Sequence, residues 1–573
     1  MTDPVGVPLA ASRRRSHRHR TVTLPGWTVG VAASVAELAR LPFLGRAPSP
    51  DEAGFLVVGS QWNGRGTSLY TDYWVDRPPL LVTIFRAASS LGGVPALRVI
   101  GCVAVVVVVL GCARGATMLH GEQAARWAAL TAATLVTTPL LGGYALNGEM
   151  LAAPFVIAGI ICVVSALRTS DVRPGIGWGV LAGACAMCAL MVKQNFADVA
   201  VFGAVALVVS AIRSDITWRR FASLTAAATA GAVFTLSALA LWTTMHGTSL
   251  VGVFDAMYPF RVEAAHVIAE GGQDHALARL GGLADTALLS MIAPLTAGAL
   301  LGTVRMWRRP LSCALLSLLV FAAASVLVGG NFWHHYLIGL IVPVSLAVGV
   351  MAADHVHLIR PIAALAVASA ALGWAGSLAL PQGDAAQTIG TAVGSVSRSG
   401  DTIVNLYGDP DVVQASGLAS PYEHLWSLPI KTRDPTLREL DAILAGATAP
   451  TWLVTGSTVR TWGLQTTGTG AIIARRYRKV GVICGRTIYL LDGVHRADVR
   501  STGREEPSVR TCPPVNASIW RWGQPRPEAS SEGEGLDGTI QGDLDERPLE
   551  GWGRTAASAG LSPLVGTAHQ GPP

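Results

Sequence analysis

The sequence predicts an α-helical, multi-pass membrane protein with a small α/β domain outside the bilayer and a disordered carboxyl-terminal tail. Three observations carry this. Of the 573 residues, 51% are apolar and only 14% are charged, with a mean hydropathy of +0.44; a soluble domain carries roughly a quarter charged residues. Apolar runs of span length recur between residues 24 and 380, and crossing roughly 30 Å of hydrocarbon takes about 20 residues at ~1.5 Å per residue. Beyond 380 the apolar runs shorten and alternate, and beyond 498 they stop.

The elements follow in chain order. Residues 1–23 are basic, with Arg13, Arg14, Arg15, Arg18 and Arg20, which predicts a cytoplasmic amino terminus. The 24–44 segment has no small-residue cleavage site and reads as a retained first span. It carries Glu37 and Arg40, whose i, i+3 spacing suits a pair snorkelling to the interface. Residues 45–94 form an external loop. Within it, 79–92 is apolar but short, and reads as an interfacial or re-entrant helix after Pro78-Pro79.

Further spans are expected at 95–116, 122–142, 149–167, 176–192, 196–212, 221–242, 284–304, 311–329, 335–352 and 359–380, making about eleven in all. The charges agree with this path. Arg114 to Arg126, Arg168 and Arg173, Arg213 to Arg220, Arg305 to Arg309, and Arg360 all fall on the inside, whereas the external connections carry fewer cations or as many anions. The basic pI near 9.0 is therefore a consequence of topology. No basic, aromatic-interleaved stripe marks a nucleic-acid surface.

Residues 383–498 are expected to form an extracytoplasmic α/β domain. The strand-like runs Thr402–Leu406 and Thr451–Thr455 alternate there with a helical pattern near 436–446. Residues 499–573 are rich in Gly, Pro, Ser and Glu and poor in large aliphatics, a composition of disorder. Of the 8 cysteines, Cys102, Cys112, Cys162, Cys185, Cys188 and Cys313 lie in or near apolar spans and read as small buried residues. Cys484 and Cys512 are both expected outside, where an oxidising compartment permits a disulfide without requiring one.

The candidate chemistry gathers on the expected outer face. Ser49-Pro50-Asp51-Glu52 fits a capped helix start, with Ser as N-cap, Pro at the first position and Glu three residues after the cap. A capped helix also holds the Asp51 carboxylate rigidly at the membrane surface. Asn147-Gly148-Glu149 opens a span; it fits capping too, but a carboxylate entering an apolar helix is costly unless paired, by about 2.5–3.5 kcal/mol at mid-span and less at the rim. Asp51 and Glu149 together can hold a divalent cation or position an acceptor hydroxyl. Lys193, in Lys193-Gln194-Asn195, runs against the positive-inside trend and suits a phosphate or diphosphate. Arg77, before Pro78-Pro79, can grip phosphate in bidentate fashion. His334 and His335 complete the rim, while Trp333 and Tyr336 fit an interfacial aromatic belt. The loop 250–275, with Asp255, Tyr258, Arg261, Glu263 and His266, suits a cover over a site.

The acidic pair after the first span, Leu69-Tyr70-Thr71-Asp72 and Asp76-Arg77-Pro78-Pro79-Leu80 resemble the GT-C class of membrane glycosyltransferases, and within it the protein O-mannosyltransferase and lipid A aminoarabinose transferase group. Asn147-Gly148-Glu149, Val192-Lys193-Gln194 and Trp333-His334-His335-Tyr336 fall in the order that group shows. The resemblance covers roughly 24–380, and Pro421–Pro429 is similar to the external domain of a bacterial subgroup. It implies a polyprenyl-phosphate-linked sugar donor, an acceptor in the cell envelope and transfer on the extracytoplasmic side. By position it makes Asp51 the general base and Glu52 its support or a metal ligand. Lys193 and Arg77 then neutralise the leaving phosphate, and His334 or His335 contacts the donor. Related transferases often carry Asp where this chain has Glu149, and metal dependence varies among them.

Two other classes remain open at this stage. A flippase or transporter of a lipid-linked sugar needs ionisable groups deep in several spans, and most of these spans are bare in the middle. A non-catalytic scaffold presenting 383–498 has no need of the acidic pair.

Overall fold

The computed structural model describes residues 26–499 apart from 63–68, 71, 271–272, 306–308, 329, 380–383, 407 and 456–467, together with residue 512. The amino-terminal arginine cluster and the tail beyond 499, whose disorder the composition predicts, lie outside the described residues except for Cys512.

The membrane part begins with α1 (Gly26–Arg40). It continues through α2 (Pro50–Gln61), α3 (Pro79–Ser90), α4 (Val94–His120), α5 (Glu122–Thr137), α6 (Gly148–Arg168), α7 (Val172–Val192), α8 (Asp198–Ile212) and α9 (Trp218–Met245). Two short helices, α10 (Leu250–Met257) and α11 (Pro259–Glu270), precede α12 (Gln273–Leu289), α13 (Ile292–Arg305), α14 (Pro310–Val328) and α15 (Ile341–Ala379). Among the described residues, six helical stretches are long and apolar enough to cross a bilayer, or seven with α12 and α13 counted together. The chain is a multi-pass membrane protein. Helices approach closely where side chains are small. A Cβ on Gly183 would fall 1.8 Å from the Ala228 carbonyl oxygen, and one on Gly231 would fall 1.9 Å from that of Val180. The α7–α9 contact therefore depends on glycine in both partners, as is common between helices in lipid.

Three expectations need correction. The continuous span at 284–304 is broken: α12 and α13 meet at 71°, with Met291 in the left-handed region at φ 62° between them. The segments expected at 335–352 and 359–380 are two helices meeting at a kink at His355 (φ −135°, ψ 50°), but the first begins only at Ile341, because His334–Leu340 ahead of it is a 3-10 helix. Arg40 does not snorkel. It is 4% exposed and turns inward, donating to the carbonyl oxygens of Gly143 and, at 3.3 Å, of Tyr144. A buried cation that binds the α5–α6 connection costs less than one left in hydrocarbon without partners.

The carboxyl-terminal domain contains α16 (Ala385–Val396), β1 (Ile403–Asn405), α17 (Pro410–Ser416), α18 (Ser427–Arg433), α19 (Arg438–Ala445), β2 (Trp452–Thr455), α20 (Thr469–Arg476), β3 (Tyr477–Ile483) and β4 (Arg486–Leu491). Its sheet runs β1-β2-β4-β3, with β1 and β2 parallel and the other pairs antiparallel. β1 and β2 are buried along their whole length, as expected of strands covered on both faces. Cys484, in the turn between β3 and β4, forms a disulfide with Cys512, Cα to Cα 5.2 Å.

Candidate functional site

The site is built on α2. Ser49 caps this helix: its side chain accepts from the Glu52 N–H at 3.3 Å, and the Ser49 N–H donates to Glu52 Oε2 at 2.9 Å. The capping box is real, and Glu52 does more than close it. Its Oε1 accepts from the Leu146 N–H at 2.7 Å and from Arg98, whose other terminal nitrogen reaches Oε2 at 3.3 Å. With Glu52 1% and Arg98 4% exposed, this ion pair clamps the start of α2 to α4 and to the approach of α6.

Asp51, one residue earlier, points elsewhere. Its Oδ1 accepts from the indole N–H of Trp426 in the carboxyl-terminal domain at 3.1 Å. The close approach needs Gly54, since a Cβ there would lie 2.2 Å from the Trp426 ring. Phe55 packs on the same indole, centroid to centroid 5.3 Å.

The loop after α2 brings in the cations. Asp76 receives Arg77 on Oδ1 at 2.6 Å and Arg261 of α11 on Oδ2 at 2.5 Å. Burial works against the Asp76 charge, but the two arginines outweigh it and hold its carboxyl below the ordinary value. Burial pulls Arg77 down, yet the carboxylates of Asp76 and Asp51, and more weakly Tyr336 and Glu149, lift it above the usual arginine value. Those groups therefore share one electrostatic neighbourhood. Two guanidiniums on one carboxylate leave a net positive charge, and the buried Arg261 Nε has no hydrogen-bond partner.

Across the neighbourhood, Glu149 forms an ion pair with Lys193, and His335 Nε2 lies 3.9 Å from the same carboxylate. Asn147 caps α6, accepting from the Met150 N–H at 2.9 Å, so capping and ion pairing coexist at this span start. Lys193 Nζ also sits 4.5 Å from the centre of the Tyr336 ring. Tyr336 therefore belongs to this cluster rather than to an aromatic belt, whereas Trp333 is at the surface, 36% exposed. His334 stands against Gly142 (φ +70°), where an added Cβ would meet its Nε2 at 3.4 Å.

Asp51, Arg77, Glu149, Lys193 and His335 thus come together, with Glu52 behind them as a clamp. Sequence reasoning passed over Asp76, Trp426 and Asp198 as site residues. Asp198, 4% exposed at the start of α8, lines a recess with Glu149, Asn195, Phe196, Tyr336 and Gly339; an acid opening an apolar run just after Lys193 was its available signal. Glu149 already carries the Lys193 ammonium, which occupies its carboxylate in place of a metal ion.

The carboxyl-terminal domain also contacts the loops around the site. The Trp74 N–H donates to the Glu423 carbonyl at 3.0 Å, and the Ser420 N–H donates to the Tyr73 hydroxyl at 2.7 Å. Arg433 reaches Asp255 at 2.7 Å and Glu263 at 3.5 Å. The α10 and α11 helices are thus fastened to the carboxyl-terminal domain.

No protein-family model and no curated protein sequence matches the chain. Solved structures do. ArnT from Cupriavidus metallidurans bound to undecaprenyl phosphate aligns with a TM-score of 0.52 at 13% identity, over 81% of this chain and 97% of that one. Its apo form aligns with the same score over 96% of its length. The Archaeoglobus fulgidus oligosaccharyltransferase tethered with an acceptor peptide aligns at 0.48 and 12% identity, over 82% of this chain and 74% of that one. These neighbours are GT-C glycosyltransferases, and the chain shares the ArnT fold.

Proposed function

We propose that this chain is an integral-membrane glycosyltransferase that moves a sugar from a polyprenyl-phosphate donor to a cell-envelope acceptor on the extracytoplasmic face. The observation that carries the reading is that the Asp51 carboxylate acts electrostatically on Arg77 and Arg261 and shares the His335 neighbourhood with Lys193, on a fold shared with a protein crystallised with undecaprenyl phosphate.

The acceptor hydroxyl oxygen attacks the anomeric carbon and its proton passes to Asp51. The bond from that carbon to the phosphate oxygen breaks, and polyprenyl phosphate leaves with the electron pair. Arg77, Arg261 and Lys193 stabilise the charge that grows on the phosphate, which is where fixed cations lower the barrier most. Glu149 orients Lys193, His334 or His335 contacts the donor, and Glu52 supports Asp51 by holding the start of α2. Attack opposite the leaving group predicts inversion at the anomeric carbon.

Eleven crossings would put the amino terminus in the cytoplasm and the 383–498 domain outside. The Cys484–Cys512 disulfide supports that side, since disulfides persist in oxidising compartments. The transporter reading is not favoured: the paired charges described above cluster at helix starts and loops, and a transporter would place them at mid-span. Incubating purified chain with a polyprenyl-phosphate-linked sugar and envelope acceptors tests the proposal, with release of free polyprenyl phosphate as the expected product. Retention of configuration in the transferred sugar would remove the single-displacement step.

A further inference from the structure

Outside this cluster, Glu423, His424 and Glu439 stand with one potential ligand atom each, all within 4.8 Å of one another. We propose that these three side chains bind one divalent metal ion of the zinc type, and that the ion fastens the external domain to the loop carrying Asp76 and Arg77. The proposal is independent of the transferase reading, because none of the three residues has a part in the chemistry above.

The spacing fits the ion. Zinc sits about 2.0–2.2 Å from imidazole nitrogen and carboxylate oxygen, so neighbouring ligands of a tetrahedron lie roughly 3.3–3.6 Å apart. His424 Nε2 is 3.3 Å from Glu423 Oε1 and 3.8 Å from Glu439 Oε2. The third edge, between the two carboxylates, lies within 4.8 Å, so the glutamate side chains would draw together around the ion, with water in the fourth position. Larger oxygen-loving cations such as calcium require six or more ligands, and these three side chains do not supply them.

Charge argues the same way. Among the described residues, no lysine or arginine nitrogen lies within 4.0 Å of either carboxylate; their ion-pair partner is His424 in both cases. The nearby cation Arg433 is committed to Asp255 and Glu263. Two carboxylates facing one imidazole repel each other, and a divalent ion makes the group neutral.

His424 supplies an independent observation. Its side chain is 1% exposed, it is flanked by the rings of Trp74 at 6.3 Å and Tyr422 at 5.3 Å, and its Nδ1 has no hydrogen-bond partner. The ring is thus held almost dry with Nε2 turned toward both carboxylates, the arrangement in which a neutral imidazole ligates a divalent ion. Glu423 and Glu439, 27% and 46% exposed, leave a path for the ion and its water.

The consequence is mechanical. The Glu423 carbonyl accepts from the Trp74 N–H, two residues before Asp76. Glu439 lies in the first turn of α19. An ion joining Glu423, His424 and Glu439 therefore ties the body of the external domain to the strand of loop that sets the arginine pair.

The test is metal content and thermal unfolding of the full chain in nanodiscs, with zinc chloride as the probe and magnesium and manganese chlorides for comparison. Wild type should retain one zinc per chain at micromolar free metal, and chelation should lower its unfolding temperature. Glu439→Gln, chosen because the exposed position tolerates change, should weaken zinc binding by more than the roughly 10- to 100-fold that changes around a site produce. His424→Gln should abolish binding. X-ray absorption should report four light N or O ligands. No tight zinc in wild type, unchanged affinity in Glu439→Gln, or loss of the ion in Asp51→Asn or Glu149→Gln instead would each overturn the proposal.

Discussion

The indole N–H of Trp426 donates to the Asp51 carboxylate at 3.1 Å, so a residue of the carboxyl-terminal domain fixes the carboxylate that opens α2. The two residues stand 375 positions apart, and Gly54 is the reason they can meet. The carboxyl-terminal domain thus contributes a side chain to the candidate site.

Trp426→Phe keeps an aromatic ring beside Phe55 while removing the hydrogen bond to Asp51 and the part of the indole packed on Gly54. A bond to a charged acceptor contributes about 1.5–3 kcal/mol, so kcat should fall roughly 10- to 100-fold with little change in KM for the lipid-linked donor. Steady-state kinetics of the two proteins check this. Gly54→Ala should also lower kcat, because its new Cβ would collide with the indole.

Glu149 and Lys193 are nearly buried partners. Removing one leaves the other charge uncompensated, at a cost of about 3–5 kcal/mol, whereas removing both costs much less. Glu149→Gln alone should therefore unfold at a markedly lower temperature. Glu149→Gln with Lys193→Met should recover most of that loss while transfer stays low, since Lys193 is gone. Thermal unfolding beside a transfer assay separates the two effects.

Glu52 and Asp51 are adjacent but should respond differently. Glu52→Gln weakens the clamp on Arg98 and should reduce folded yield and unfolding temperature, with kcat per folded molecule falling far less than in Asp51→Asn. If the two variants lost kcat equally at equal stability, the separation of roles would be wrong.

The disulfide closes a stretch of 28 residues, and a loop of that length is worth about 3–4 kcal/mol in the chain-entropy account. Reductant should lower the unfolding temperature. Cys484→Ser frees Cys512, which a membrane-impermeant maleimide should then label on intact cells. Labelling only after the membrane is broken would place the external domain on the wrong side.

Much of the site was legible in sequence because each part is a local signal. The capping box at Ser49–Glu52, a carboxylate at the start of α6 and a lysine on the acidic side of the bundle all show within a few residues. Their pairing did not. Glu52 with Arg98, Asp76 with Arg261 and Asp51 with Trp426 join positions 46, 185 and 375 residues apart, and only packing brings them together. The same holds for Arg40, whose i, i+3 neighbour suggested a surface pair while the α5–α6 connection offered it buried carbonyls. Hydropathy located the apolar segments but was blind to the 71° bend at Met291, because it averages over residues and carries no backbone angle.

The most direct test compares wild type with Asp51→Asn, both purified and matched for unfolding temperature, on a radiolabelled polyprenyl-phosphate sugar with envelope acceptors. The account predicts labelled product from wild type, a loss of at least about 100-fold in the variant, and a donor KM that stays within a few-fold. Full activity in Asp51→Asn would contradict the assignment of the base, and no transfer by wild type from a donor pool that a control transferase consumes would contradict the glycosyltransferase reading itself.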